Sequence, residues 1–297
     1  MTYSLWIITT GVLVGITCGM TGALLVLRKM SMLADAISHT VLLGIVGAFL
    51  VTHSLNGVPM LIGAAIVGIL TALMVQLLDS SGVQSDAAIG VVFTSLFALG
   101  VVLISFIGDS VHLDVEHALM GEIAFVPWDT WTWNGINLGP TAVWLLGFVF
   151  ILNLSIILLF YKEFKISTFD PQLAISIGVP VVAIHYVLMS MVSFSTVASF
   201  DSVGAILVVA MLIVPGATSY LLTDSFGGMI ALSALIGALS SLLGYTFALF
   251  VDVSISGAMA TATGVLFTLA FFLSPKHGML AKWYRRKQQQ KKQLRAS

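Results

Sequence analysis

The sequence predicts an all-α fold, a polytopic membrane bundle of eight or nine transmembrane helices. Three observations predict it. Of the 297 residues, 59% are apolar and only 8% charged, with a mean hydropathy of +1.08, whereas a soluble domain carries roughly 25% charged residues. Apolar stretches of about 20 residues recur along the chain, the length that crosses a hydrocarbon core of roughly 30 Å. The backbone inside such a stretch has no water to pair with, so it must close its hydrogen bonds within a helix. The stretches are also continuous, without the alternating polarity of β-barrel strands.

The apolar runs cover about 5–27, 32–52, 58–78, 87–108, 141–161, 179–199, 203–223, 228–250 and 255–274. The run 203–223 holds Pro215 and Gly216, which predict a broken helix there and leave the count at eight or nine. Lys and Arg are confined to three places: Arg28 and Lys29, Lys162 and Lys165, and the tail from Lys276 to Arg295. The positive-inside rule puts all three in the cytoplasm, which with nine spans places the N-terminus outside. The first run lacks a basic leader and is followed by Arg28, so it is expected to persist as an uncleaved span.

Residues 1–275 therefore form the predicted transmembrane domain and 276–297 a basic cytoplasmic tail, held near anionic lipid heads. Nucleic acid is not the expected partner. Cys18, the single cysteine, lies within the first run and excludes an intrachain disulfide; it reads as a packed thiol. Gly11, Gly15 and Gly19 recur at four-residue spacing and predict a close helix–helix seam.

Two connections exceed a simple turn. The outer one, Asp109 to Pro140, is rich in Trp and carries His112, Asp114, Glu116, His117, Glu122 and Asp129. Its aromatics suit the headgroup region. The inner one, Lys162 to Pro180, is amphipathic and has a turn signal at Asp170-Pro171, predicting a short helix along the cytoplasmic membrane surface.

An ionisable group inside a span costs at least about 2.5 kcal/mol on insertion scales, so it tends to face a cavity and act there. Asp35 and His39 stand four residues apart in SMLADAISHTVLLG, on one helical face. A carboxylate with an imidazole suits Mn²⁺, Fe²⁺ or Zn²⁺, whereas Ca²⁺ and Mg²⁺ favour oxygen donors alone. A structural alternative is that Asp35 caps the helix start and His39 satisfies it. Asp201, Asp114 and Glu122 are second-rank metal candidates; an interfacial or solvated position explains them equally. No Gly is followed by Lys anywhere, so a phosphate-binding GxxxxGK[ST] loop is excluded, and neither HExxH nor GxSxG occurs.

Four stretches resemble the membrane permeases of bacterial ABC importers for manganese, zinc and iron, the ABC-3 metal transporter family. They are LVLRKMSMLADAISHTVLLGI (25–45), FDPQLAISIGVP (169–180), ILVVAMLIVPGATSYLL (206–222) and SGAMATATGVLFTLAFFLSPKHG (256–278). The resemblance implies a permease in the cell membrane, paired with a second permease subunit and driven by cytoplasmic ATPase subunits. An extracytoplasmic metal-binding lipoprotein would deliver the ion, which is cargo, so no resident cofactor is implied. It makes the inner segment a coupling helix with Phe169, Asp170 and Pro171 at its core, and it maps the family's metal-contacting Asp and His onto Asp35 and His39. Leu43 stands where the family often has Pro, which predicts a straighter helix at that point. Manganese is the first expected ion, with zinc or iron served by the same donors. The rivals are a metal-chelate permease, an ion-gradient-driven secondary transporter, which would show inverted repeats, and a membrane scaffold.

Overall fold

The computed structural model describes residues 2–53, 57–107, 123–133, 136–274 and 278. Its helices are α1 (Thr2–Leu27), α2 (Ser31–Thr52), α3 (Gly57–Ser80), α4 (Ser85–Ile107), α5 (Thr141–Leu159), α6 (Tyr161–Phe169), α7 (Pro171–Ser176), α8 (Val181–Leu222), α9 (Phe226–Val251) and α10 (Ile255–Leu273). Among the described residues eight of these are long and apolar enough to cross a membrane. Their bounds follow the apolar runs to within three residues, except that α8 absorbs two runs.

That merger is a break and not a straight rod. Gly204 has φ 78° and ψ 166° inside α8, a backbone region open to glycine at little cost. His185 lies within electrostatic reach of Arg28, and Tyr220 lines a cavity together with Leu27. Residues 185 and 220 would stand about 52 Å apart along an unbroken helix, yet one lies within electrostatic reach of Arg28 and the other shares a cavity with Leu27, at the same end of α1. The chain therefore climbs from Val181 to Gly204 and returns to Leu222, crossing twice. This corrects the sequence expectation of a break at Pro215-Gly216, where the helix continues. Gly216 serves packing instead: a Cβ there would meet the backbone of Gly22 and Ala23 at 3.1 Å.

The predicted glycine seam holds the bundle together. A Cβ on Gly15 would collide with the Gly237 carbonyl, and one on Gly237 with that of Gly15, so α1 and α9 pack backbone to backbone. Ser233 Oγ donates to Gly19 O and Ser241 Oγ to Gly11 O, each at 2.7 Å. These bonds matter because lipid gives helices no hydrophobic reason to associate; close packing and interhelical hydrogen bonds replace it. Cys18 is buried, as expected of a packed thiol, with its Sγ 3.5 Å from Ser199 Oγ.

The described part of the outer connection holds a 3-10 turn, Ile123–Trp128, and an antiparallel hairpin of β1 (Thr130–Trp133) and β2 (Ile136–Pro140). The sequence predicts only an aromatic loop here, and the structure adds the hairpin. The basic tail, apart from Gly278, lies outside the described residues, as do His112, Asp114, Glu116, His117 and Glu122.

The inner connection is two short helices instead of one. Asp170 separates α6 from α7: its carboxylate accepts from Leu173 N at 2.9 Å, capping α7, and Pro171 takes the first helical position. Proline has no N–H to lose there. The exposed side chains of Phe169, Leu173 and Ile175 give this segment an apolar surface.

Candidate functional site

Asp35 and His39 stand in the second and third turns of α2. The helix begins at Ser31 with Met30 as its N-cap, and no side chain caps it. Asp35 is thus a full turn inside, which removes the capping alternative. Ser38 Oγ donates back to the Asp35 carbonyl at 2.7 Å, so the hydroxyl is occupied by the backbone. Thr71 Oγ1 donates to Thr40 Oγ1 at 2.8 Å and fixes α2 against α3. Helix α2 runs unbroken through Leu43, as expected where proline is missing.

The His39 Nε2 lies 3.6 Å from Asp35 Oδ1, and both side chains are about one-third exposed, at 33% and 38%. From α4, Phe93 and Phe97 flank the imidazole with ring centroids at 5.4 Å and 5.9 Å. The aromatic walls limit its rotation without consuming a ring nitrogen. One carboxylate and one imidazole therefore remain available on the same face.

Asp35 opens onto a cavity of about 380 Å³ between α2 and α4, lined by Met32, Ala36, Asp86, Ile89, Gly90 and Phe93. Asp86 was missed by the sequence reading, since an acidic residue in the first turn of α4 is what any helix start favours. Here it adds a second carboxylate to the cavity wall. Gly90 keeps the wall low: a Cβ there would have no neighbour within 4 Å.

Other predicted residues sit elsewhere. Asp201 is three residues before the Gly204 break and within electrostatic reach of Asp129 at the outer end of α5, so the structure does not bring it to Asp35 and His39. Among the described residues no group of three His, Cys, Asp or Glu side chains is placed to hold a metal.

Phe169, Asp170 and Pro171 gather at the end of the bundle that the sequence assigns to the cytoplasm. Phe169 meets Phe226 edge-on at 6.1 Å, and Phe226 meets Tyr161 at 5.2 Å. A cavity of about 160 Å³ beside them is lined by Leu27, Phe169, Tyr220 and Asp224, among others. Arg28, next to Leu27, donates to Ser167 and Thr168 in α6. Burial lowers its pKa from the ordinary value, though a guanidinium starts high enough to stay charged. The described Lys and Arg side chains that the sequence assigns to the cytoplasm thus belong to one end of the bundle.

A profile of the ABC 3 transport family matches residues 1–274. The chain belongs to the ABC 3 transport family. Among its relatives, the manganese transport system membrane protein MntD of Bacillus subtilis is 63% identical over 291 residues, spanning 98% of this chain and 99% of that one. The zinc transport system membrane protein TroD of Treponema pallidum is 43% identical, over 92% of this chain and 75% of that protein. The solved structure of PsaBC from Streptococcus pneumoniae in complex with Fab matches with a TM-score of 0.77 at 33% identity, covering 93% and 94% of the two chains. Family membership and the apolar helices together make this ABC 3 protein a multi-pass protein of the cell membrane, in agreement with the resemblance read from its sequence.

Proposed function

We propose that this ABC 3 family chain is the transmembrane permease subunit of an ATP-driven importer of divalent transition metals, with manganese as its principal cargo. The observation that carries the reading is the pair Asp35 and His39, held 3.6 Å apart on a membrane-spanning helix, with Asp35 opening on a cavity. Two donors bind a borderline divalent ion weakly, as a path that must release its cargo requires. The carboxylate supplies the negative charge that offsets loss of the ion's water, and the imidazole favours a transition metal over Ca²⁺ or Mg²⁺. Relatives named for manganese and for zinc fit a donor set that serves both.

The partners follow from this role. ATP is hydrolysed by separate cytoplasmic subunits docked on the exposed apolar surface of α6 and α7, around Phe169, Asp170 and Pro171. An extracytoplasmic binding lipoprotein delivers the ion, and a second permease subunit shares the path. A metal-chelate permease has no use for protein donors in the path, which is why Asp35 and His39 favour the bare ion.

The test is reconstitution of the permease with its ATPase and binding protein in liposomes, followed by radiomanganese uptake. Uptake should require ATP and the ATPase. Accumulation driven by an ion gradient alone would overturn this reading in favour of a secondary transporter.

A further inference from the structure

Arg28 is assigned neither to the metal path nor to the ATPase surface, yet it joins the two. Its Nη2 donates to Ser167 Oγ at 2.8 Å and its Nε to Thr168 Oγ1 at 3.2 Å. Both hydroxyls belong to the last turn of α6, directly before Asp170 and Pro171. Ser167 is buried and its own hydroxyl donates to Phe164 O at 3.3 Å, which orients the oxygen to accept from the guanidinium. On the far side of the coupling segment, His185 in the second turn of α8 lies within electrostatic reach of Arg28. Arg28 is therefore bonded to the chain just before the coupling turn and feels the charge environment of the chain just after it.

In the other direction Arg28 leads straight into the metal helix. Three residues, Arg28 to Met30, separate α1 from α2, and their backbone is tied back to α1: Arg28 N to Leu24 O at 3.2 Å, Lys29 N to Val26 O at 3.1 Å and Met30 N to Leu25 O at 3.0 Å. Lys29 takes φ 59° to make the bend. This elbow has no slack. Asp35 and His39 follow about 6 Å and 12 Å along the helix from Ser31. A planar guanidinium suits such a joint because its N–H groups hold two acceptors in fixed relative positions, which a lysine ammonium does not.

We propose that Arg28 is the positioning residue that carries movement of the α6–α7 segment into α2, keeping metal passage at Asp35 and His39 in step with ATP hydrolysis. The inference rests on the permease reading above. It assigns the link to a named hydrogen-bonded element between two sites, one of the forms in which coupling is carried.

The experiment measures radiomanganese uptake and ATP hydrolysis together in the reconstituted complex of permease, ATPase and binding protein. Arg28→Gln should keep hydrolysis within about twofold of wild type while uptake falls by about tenfold or more, so fewer ions move per ATP. Ser167→Ala combined with Thr168→Val leaves Arg28 in place and should reproduce the lowered ratio. Arg28→Lys, which keeps the charge but not the fork, should restore only part of it. A purely structural role would lower uptake, hydrolysis and complex yield in parallel. That outcome, or an unchanged ratio in the double variant, overturns the proposal. Wild-type complexes that fail to move manganese with ATP would instead overturn the permease reading, and this arm is read before any variant.

Discussion

The Nε2 of His39 stands 3.6 Å from the Asp35 carboxylate, just beyond hydrogen-bond range. A partly exposed pair of this kind contributes about 1 kcal/mol or less to stability, so its loss should be felt in transport and not in folding. Asp35→Asn and His39→Ala are each expected to lower metal uptake by about tenfold or more, since even the loss of a supporting group costs a metal site roughly 10–100-fold. Radiometal uptake in cells lacking the native permease, with expression and thermal melting checked, decides it. Normal uptake of manganese and zinc in both assembled variants would return the pair to a structural role.

The cavity beside Asp35 can be closed without touching a donor. Gly90 faces open space, so Gly90→Leu adds a side chain to the cavity wall without a backbone clash, and helix propensity favours leucine by roughly 0.8 kcal/mol. The variant should melt no lower than wild type while its uptake drops. If uptake is untouched, the cavity is not on the path.

Coupling makes a different demand. Asp170 caps α7, and losing such a cap costs about 1 kcal/mol, a local effect. Asp170→Lys and Pro171→Leu should therefore leave the spans folded while weakening copurification of the ATPase and reducing uptake. Retention of both functions would make α6 and α7 a mere connector.

The glycine seam predicts where substitution is lethal to the fold. Gly237→Leu forces a side chain into the Gly15 backbone, beyond the roughly 1–3 kcal/mol of ordinary overpacking, and should abolish folded protein in detergent. Gly147→Ala and Gly264→Ala, which meet nothing within 4 Å, should match wild type by size-exclusion chromatography. Equal yields across the three variants would refute the seam.

Orientation is testable with a single reporter, since the native thiol, Cys18, is buried. Thr132→Cys should react with an impermeant reagent added to whole cells, and Ser176→Cys should react only after lysis. The reverse pattern would invert the topology.

The spans were legible because hydrocarbon imposes one rule on every residue within it, and run length alone reports that rule. What stayed hidden depended on contacts between segments. Asp86 is an ordinary first-turn acid until α4 sets it beside Asp35. Pro215 drew the predicted break away from Gly204 because proline's defect is visible in a sequence, whereas a glycine reveals its backbone angle only when folded. The outer hairpin did carry a signal: Thr130 to Trp133 alternate in polarity and are followed by Asn134-Gly135, a strong hairpin dipeptide. Trp-rich composition near a membrane surface pointed instead to headgroups. The turn at Asp170 is legible, since an Asp-Pro pair acts on its immediate neighbours and needs no tertiary partner, although the second short helix is not.

The reversal at Gly204 also fixes the parity of the bundle. With 42 residues the helix would measure about 63 Å if straight, twice the hydrocarbon thickness. Had it crossed once, α9 and α10 would each run in the opposite sense, and Ser274 would emerge on the face opposite Arg28. Instead Ser274 Oγ donates to Leu221 O at 2.6 Å, on the side where Leu27 and Phe169 meet. One residue without a side chain thereby decides which compartment sees the last third of the chain.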